Sequence, residues 1–236
     1  EMCIRDRFVL IVYFALISTK KAEQNKVWVG LSKETAHQLG TPISSLMAWM
    51  DLLESSGVDP SLLSDMNKDV NRLSIIAERF SKIGSKPEME LIYVNEVLEN
   101  ATEYMRRRVS DKVLITTHLP SDAEGAMVCL SLFEWVIENL CKNAVDAMNG
   151  EGRIDVYMTS EKQQIYIDIK DTGKGIARKN FKTVFNPGYT TKKRGWGLGL
   201  TLAKRIIEDY HAGRIYVKDS EVGKGTTFRI ELKRVV

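Results

Sequence analysis

The stretch VGLSKETAHQLGTPISSLMAWMDLL, residues 29–53, decides how the N-terminal part of the chain folds. Its positions Val29, Ser32, Ala36, Leu39, Ile43, Leu46, Met50 and Leu53 follow one another in steps of 3, 4, 3, 4, 3, 4 and 3. Such alternation is the seam of a heptad, whose a and d positions form one stripe along a helix. After the polar turn signal SSGVDP the pattern resumes at Leu63, Met66, Val70, Leu73, Ala77 and Phe80. Two such helices joined by a short loop make an antiparallel hairpin. One hairpin covers only part of its apolar surface, so a homodimer completing a four-helix bundle is expected.

Two residues of the stretch stand off the seam. His37 and Thr41 lie four apart and therefore share a helix face. With Ala36 at position a they occupy b and f, facing away from the bundle core. In isolation, a histidine so placed reads as a solvated surface residue. Pro42 follows directly, and a proline inside a helix removes a hydrogen bond at a cost of roughly 3 kcal/mol. A bend at this point is expected.

Upstream lies FVLIVYFALI, residues 8–17, ten apolar residues in a row. A full membrane span needs about 20. Arg5, Asp6 and Arg7 precede the run, Lys20 and Lys21 follow it, and no small-residue cleavage site comes after it. Residues 1–21 are read as the remnant of a truncated membrane segment, ahead of a signal-peptide core or a buried helix end, with the lysines on the cytoplasmic side. Membrane contact through this segment, with the chain that follows on the cytoplasmic face, is the corresponding expectation. The opening EMCIRDR does not continue a membrane pattern and carries no weight.

The 236 residues suggest one large or two small domains, and an apolar fraction of 44% supports a packed core. A net charge of +3 is too small to argue for nucleic acid as a partner. Cys3, Cys129 and Cys141 lack metal-ligand or CxxC spacing and fit buried thiols in a reducing compartment.

Lys86 and Pro87 close the second helix, which bounds the hairpin at residues 22–85 and opens a second domain at 86–236. There LIYV leads into a helix at about 95–108, VLITTHL reads as a strand, and LFEWVIENLCKNAVDAM reads as a long helix. RIDVYMTS and QIYIDIKD read as adjacent strands, GLTLAKRIIEDYH as a helix, and RIYVKD and TTFRIEL as closing strands. The order suggests an α/β domain of the α+β sandwich class, one sheet covered by helices on one face.

Three motifs in this domain suit a nucleotide. DTGKGI, Asp171–Ile176, follows a strand; Gly173 and Gly175 permit tight turns and close ligand approach, and Asp171 can accept a hydrogen bond from an exocyclic amine. GWGLGL, with Gly195, Gly197 and Gly199, leads into a helix and can present backbone N–H groups to a polyphosphate. Between them FNPGYTTKKR reads as a mobile loop whose Lys192, Lys193 and Arg194 are available to phosphate. In ENLCKNAVDAM, Asn139 and Asn143 lie four apart on one helix face, and an amide oxygen is a hard ligand suited to Mg²⁺.

Taken in order, AHQLGTP, NLCKNA, DTGKGI, FNPGYTTK, GWGLGL and GKGTTF resemble the sensor histidine kinases of two-component signalling, and the second domain resembles the gyrase-type ATPases. The resemblance covers about residues 22–236. It implies that His37 is the phosphoacceptor, attacking the γ-phosphate of ATP. It implies that Asn143 holds Mg²⁺ with Asn139 nearby, and that Asp171 reads adenine with Gly173 and Gly175 allowing the approach. Gly195, Gly197 and Gly199 would support the phosphate end and lid, and Thr226 would sit at the adenine side. The phosphoryl group would pass to an aspartate of a separate response regulator. Thr41 matches the position that orients water for dephosphorylating that regulator.

The sequence departs from the family at two places. Where an acidic residue usually follows the histidine there is Gln38, and where a basic residue usually follows two places later there is Gly40. A carboxylate at 38 would take the proton from the second imidazole nitrogen. Glutamine cannot, but its amide oxygen can accept that N–H and hold the useful tautomer. A carboxylate installed at 38 is accordingly expected to speed the step. Two other classes stay open: an ATP-binding scaffold that transfers no phosphate, and an ATPase or serine kinase of the gyrase-type superfamily.

Overall fold

The computed structural model describes residues 4–85, 87–192, 195 and 197–235. Lys86, Lys193, Arg194 and Trp196, which figured in the helix end and the loop, lie outside the described residues, as do residues 1–3. The chain divides into two compact units, Glu1–Pro87 and Glu88–Val236.

The first unit is a helical hairpin. Helix α1, Ile4–Ser55, runs unbroken through Pro42. Gly57 turns the chain with φ +80°, which a side-chain-bearing residue rarely adopts. Asp59 then caps α2, Pro60–Gly84, by accepting the Ser61 N–H at 2.8 Å, with proline at the helix start where its missing N–H is harmless. Ile43, Met50, Val70 and Ala77 form the core, with Leu39 packed against it.

The heptad seam splits in two. In α2, Leu63, Val70 and Ala77 are buried, while Met66 and Leu73 are 48% and 42% exposed. In α1, Ile43 and Met50 are buried, while Leu46 and Leu53 are 40% and 38% exposed. Each seam thus has residues that close the hairpin and others, Leu46 and Leu53 in α1 and Met66 and Leu73 in α2, that face outward. Among the described residues, no helix is long and apolar enough to cross a membrane.

The second unit is built on a five-stranded sheet. Its strands are β2 (Val113–His118), β4 (Gly152–Glu161), β5 (Gln164–Asp171), β6 (Arg214–Glu221) and β7 (Gly225–Lys233), in the order β2-β4-β5-β7-β6. The β2–β4 pair is parallel and the others are antiparallel. Along β5, Ile165, Ile167 and Ile169 are buried while Tyr166, Asp168 and Lys170 are not, the period-2 signature of a sheet covered on one face. The cover is α3 (Val94–Arg106), α4 (Leu130–Ala147) and α5 (Gly199–Arg205). α4 buries Leu132, Phe133, Val136, Ile137 and Leu140 at its centre. On the open face Arg229 clasps Asp168 with two bonds of 2.6 and 2.7 Å, and Lys218 adds a third. Burial works against the Asp168 carboxylate, but these donors hold it below its ordinary pKa.

A second, two-stranded sheet pairs β1 (Glu90–Tyr93) with β3 (Gly125–Val128). α5 ends in a π-helical turn, Ile206–Tyr210, fastened by His211. The buried His211 ring bonds the Ile206 carbonyl through Nδ1 at 2.8 Å and accepts the Cys129 N–H on Nε2 at 3.0 Å. An accepting Nε2 carries no proton, so the tautomer is Nδ1–H. The bond ties the start of α4 to the end of α5. Cys141 is buried, and burial pushes its thiol up to about 12, so it is an inert core residue.

Candidate functional site

Two turns of α4, the end of β5 and the segment before α5 supply the site. Asp171 is the last residue of β5, buried, with Thr226 of β7 opposite it in the ladder. Its carboxylate accepts the Gly173 N–H at 2.7 Å and the Thr226 N–H. Burial nevertheless raises its pKa against those two bonds. A buried carboxylate with one side held by backbone donors keeps oxygen capacity for one further donor. The Thr226 hydroxyl bonds Ser220 at 2.9 Å, beside the carboxylate it supports.

The turn after Asp171 is pressed onto α4. Lys174 donates its N–H to the Ala147 carbonyl at 3.0 Å, and a Cβ on Gly173 would meet the Ala147 backbone at 2.8 Å. Gly175 has φ +71°, and a Cβ there would lie 2.1 Å from the Glu221 carbonyl oxygen. Only glycine fits that crossing.

One turn back along α4, two side-chain oxygens converge on a lysine. Asn143 Oδ1 and Asp146 Oδ2 both accept from Lys192 Nζ, at 2.9 and 2.5 Å. Asn139, one turn further, faces Gly199: its Oδ1 lies 3.5 Å from where a Cβ on that glycine would stand. The buried Asn139 Nδ2 has no hydrogen-bond partner, an orphaned donor on the site wall. The segment bearing Lys192 is clasped a second time, where Lys174 Nζ donates to Thr191 Oγ1 at 2.8 Å. Gly197, with φ +64°, crosses the Gly188 backbone so closely that a Cβ would sit 2.5 Å from the Gly188 carbonyl carbon, and Gly195 precedes it.

The structure therefore brings together Asn139, Asn143, Asp171, Gly173, Gly175, Lys192, Gly195, Gly197, Gly199 and Thr226 within the second unit. Sequence reasoning missed Asp146. Its signal was present, since Asn139, Asn143 and Asp146 are spaced 4 and 3 and so line one helix face. Lys192, expected to be available to phosphate, here bridges that oxygen pair. Its ammonium is a stand-in cation, and the two hard oxygens it joins suit Mg²⁺ completed by water and phosphate oxygens. Among the described residues, no cluster of three or more His, Cys, Asp or Glu could hold a metal by itself.

In the first unit, His37, Gln38 and Thr41 are exposed on α1, off the seam as their spacing requires. The Thr41 hydroxyl points back to the His37 carbonyl at 3.5 Å. Gln38 Nε2 donates to Glu34 Oε1 at 2.7 Å.

Residues 130–236 match the family model described as "Histidine kinase-, DNA gyrase B-, and HSP90-like ATPase". Among curated proteins, the chain is similar to sporulation kinase A of Bacillus subtilis, 26% identical over 91% of this chain and 36% of that protein. It is similar to the sensor histidine kinase ZraS of Salmonella typhimurium, 26% identical over 92% of this chain and 48% of that protein. The chain thus spans between about a third and a half of these relatives. Its fold is similar to that of part of full-length ShkA, solved with AMPPNP, at TM-score 0.66 and 18% identity over 88% of this chain and 46% of ShkA. It is also similar to that of histidine kinase ThkA, solved with the response regulator TrrA, at TM-score 0.59 and 19% identity over 94% of this chain and 66% of that one.

Proposed function

We propose that this chain, which resembles sensor histidine kinases and carries an ATP-binding domain of the histidine kinase, gyrase B and HSP90 type in residues 130–236, phosphorylates its own His37 from ATP and hands the phosphoryl group to a response regulator. The observation that supports it best is the pairing on one wall of the buried Asp171 with the Asn143–Asp146 oxygens, which already hold a cation.

Asp171 would accept an N–H from the adenine amine, where the free capacity of its desolvated carboxylate is worth most. Asn143 and Asp146 would hold Mg²⁺, which neutralises phosphate charge, and Lys192 would move from those oxygens to the phosphates. Phosphoryl transfer is mostly positioning and charge neutralisation. An imidazole nitrogen of His37 forms the N–P bond while the bond from phosphorus to the β–γ bridging oxygen breaks, and ADP leaves with the electron pair. The exposure of His37 suits a group that serves two visitors, the nucleotide and then the regulator's aspartate. Thr41, one turn on, would orient water for the reverse duty of dephosphorylating the regulator.

The outward-facing seam residues support a homodimer, since Leu46, Leu53, Met66 and Leu73 are left to a second hairpin. Residues 8–17 with Lys20 and Lys21 would set this core on the cytoplasmic side of a membrane. Gln38 and Gly40 favour one second reading, an ATP-binding scaffold without transfer.

Incubation with γ-labelled ATP, followed by addition of a receiver domain, decides between them. A label that is acid-labile and base-stable, lost in His37→Ala and passed to the receiver, is the expected result. ATP binding with no label above the His37→Ala blank means the scaffold.

A further inference from the structure

We propose that Glu34 is a positioning residue for His37, acting through Gln38, so that one turn of α1 supplies the negative charge that position 38 lacks. The proposal rests on the phosphoacceptor role of His37 and deepens it.

The first observation is the 2.7 Å bond from Gln38 Nε2 to Glu34 Oε1. A carboxylate only accepts, so the amide must turn its NH₂ toward Glu34. The partnership thereby settles an orientation that an amide otherwise leaves open, and keeps Gln38 Oε1 as an acceptor on the other branch. The second is placement. Glu34 is three residues before His37 and four before Gln38, so it neighbours both on the helix surface. The third is scarcity: between Glu23 and Asp51 it is the only acidic residue. No other carboxylate of this helix segment can serve the histidine.

The chemistry follows from the imidazole. Nδ1 is bonded to Cγ and is the ring nitrogen nearer the helix backbone, whereas Nε2 is the tip. An acceptor on Nδ1–H fixes the tautomer in which Nε2 keeps its lone pair. When Nε2 bonds to phosphorus and the bridging P–O bond breaks toward ADP, the ring becomes cationic until the Nδ1 proton leaves to water. In the proposed step Gln38 Oε1 would turn toward that N–H, and the Glu34 charge, one turn away, would offset the ring's positive charge. Glutamine alone would hold the hydrogen bond without the charge.

The test uses the full chain with Glu34→Ala, Glu34→Asp, Gln38→Ala and the exchange Glu34→Gln/Gln38→Glu. The exchange moves the carboxylate across the pair. Gln38→Glu alone, though its carboxylate is expected to speed the step, also sets two carboxylates a turn apart, where they repel, and so does not isolate Glu34. The first readout is the ¹⁵N spectrum of His37 without nucleotide. Wild type should show the Nδ1–H tautomer, and Glu34→Ala the mixture of a solvated histidine. The second is the initial labelling rate at saturating ATP. Glu34→Ala should be slower by about tenfold or more, since base-type assistance is worth about 10²–10⁴-fold, with the KM for ATP unchanged. The exchange variant should recover most of the rate, and Glu34→Asp part of it. Combining Glu34→Ala with Gln38→Ala should be no slower than the slower single variant. Wild-type rate and tautomer in Glu34→Ala overturn this role and leave the kinase standing. Wild-type labelling no higher than the His37→Ala blank overturns the phosphoacceptor reading and this role with it.

Discussion

At Asp171, folding and the proposed function pull in opposite directions. The carboxylate is buried and its pKa raised, so the fold holds a charge that it would sooner neutralise. Asp171→Asn keeps the shape and an acceptor oxygen for the backbone donors, but removes the charged acceptor for the nucleotide. Hydrogen bonds to charged groups contribute about 1.5–3 kcal/mol, so ATP affinity measured by calorimetry should fall roughly 10- to 100-fold while the melting temperature holds. Loss of the fold together with the affinity would contradict the assignment. His211 makes a different prediction. Burial depresses its pKa, against its two backbone bonds. The unfolded chain therefore takes up the proton more readily, and the stabilisation is fully present above about pH 6.5. It is lost as pH falls toward the folded value, by at most about 1.4 kcal/mol per pH unit. The melting temperature of wild type should drop more steeply below about pH 6.5 than that of His211→Gln; equal slopes would reject the buried neutral ring. Such partners were not legible beforehand. Asp171 and the glycines announce themselves by local motif, but Cys129 and His211 are 82 positions apart, and Lys192 and Asn143 are 49. Only the fold joins them.

Among the elements, the hairpin shows what periodicity can and cannot tell. The 3–4 alternation located both helices and their turn, because the spacing is dictated by helix geometry. It did not say which seam residues close the hairpin and which face outward, since both obey one period. The structure separates them: Ala77 is 8% exposed, and Leu73, one step before it on the seam, is 42%. Leu73→Glu should therefore leave the hairpin helical and give monomers in sedimentation equilibrium, because an unpaired charge is costly at a dry interface. Ala77→Glu should instead lose helicity. A dimeric Leu73→Glu would place the interface elsewhere. The β1–β3 pair was partly hidden for another reason. β3, Gly125–Val128, has four residues, too few for an alternation to stand out, and it is fixed by its long-range partner.

For the molecule as a whole, the proposed function divides the labour between the two units: one carries the exposed histidine, the other the residues proposed to hold the nucleotide. Each has its own core. Asn143→Ala should accordingly abolish Mg²⁺-dependent ATP binding while light scattering still reports a dimer; a monomeric variant would show that the units are not separable. The central claim is that the second unit's nucleotide is spent on His37 of the first. Phosphopeptide mapping of the full chain, after incubation with γ-labelled ATP and Mg²⁺, tests it most directly. The prediction is an acid-labile, base-stable label confined to the peptide that carries His37, and absent from both His37→Ala and Asn143→Ala. A label on any other residue, or a His37→Ala chain that labels as wild type does, would contradict it.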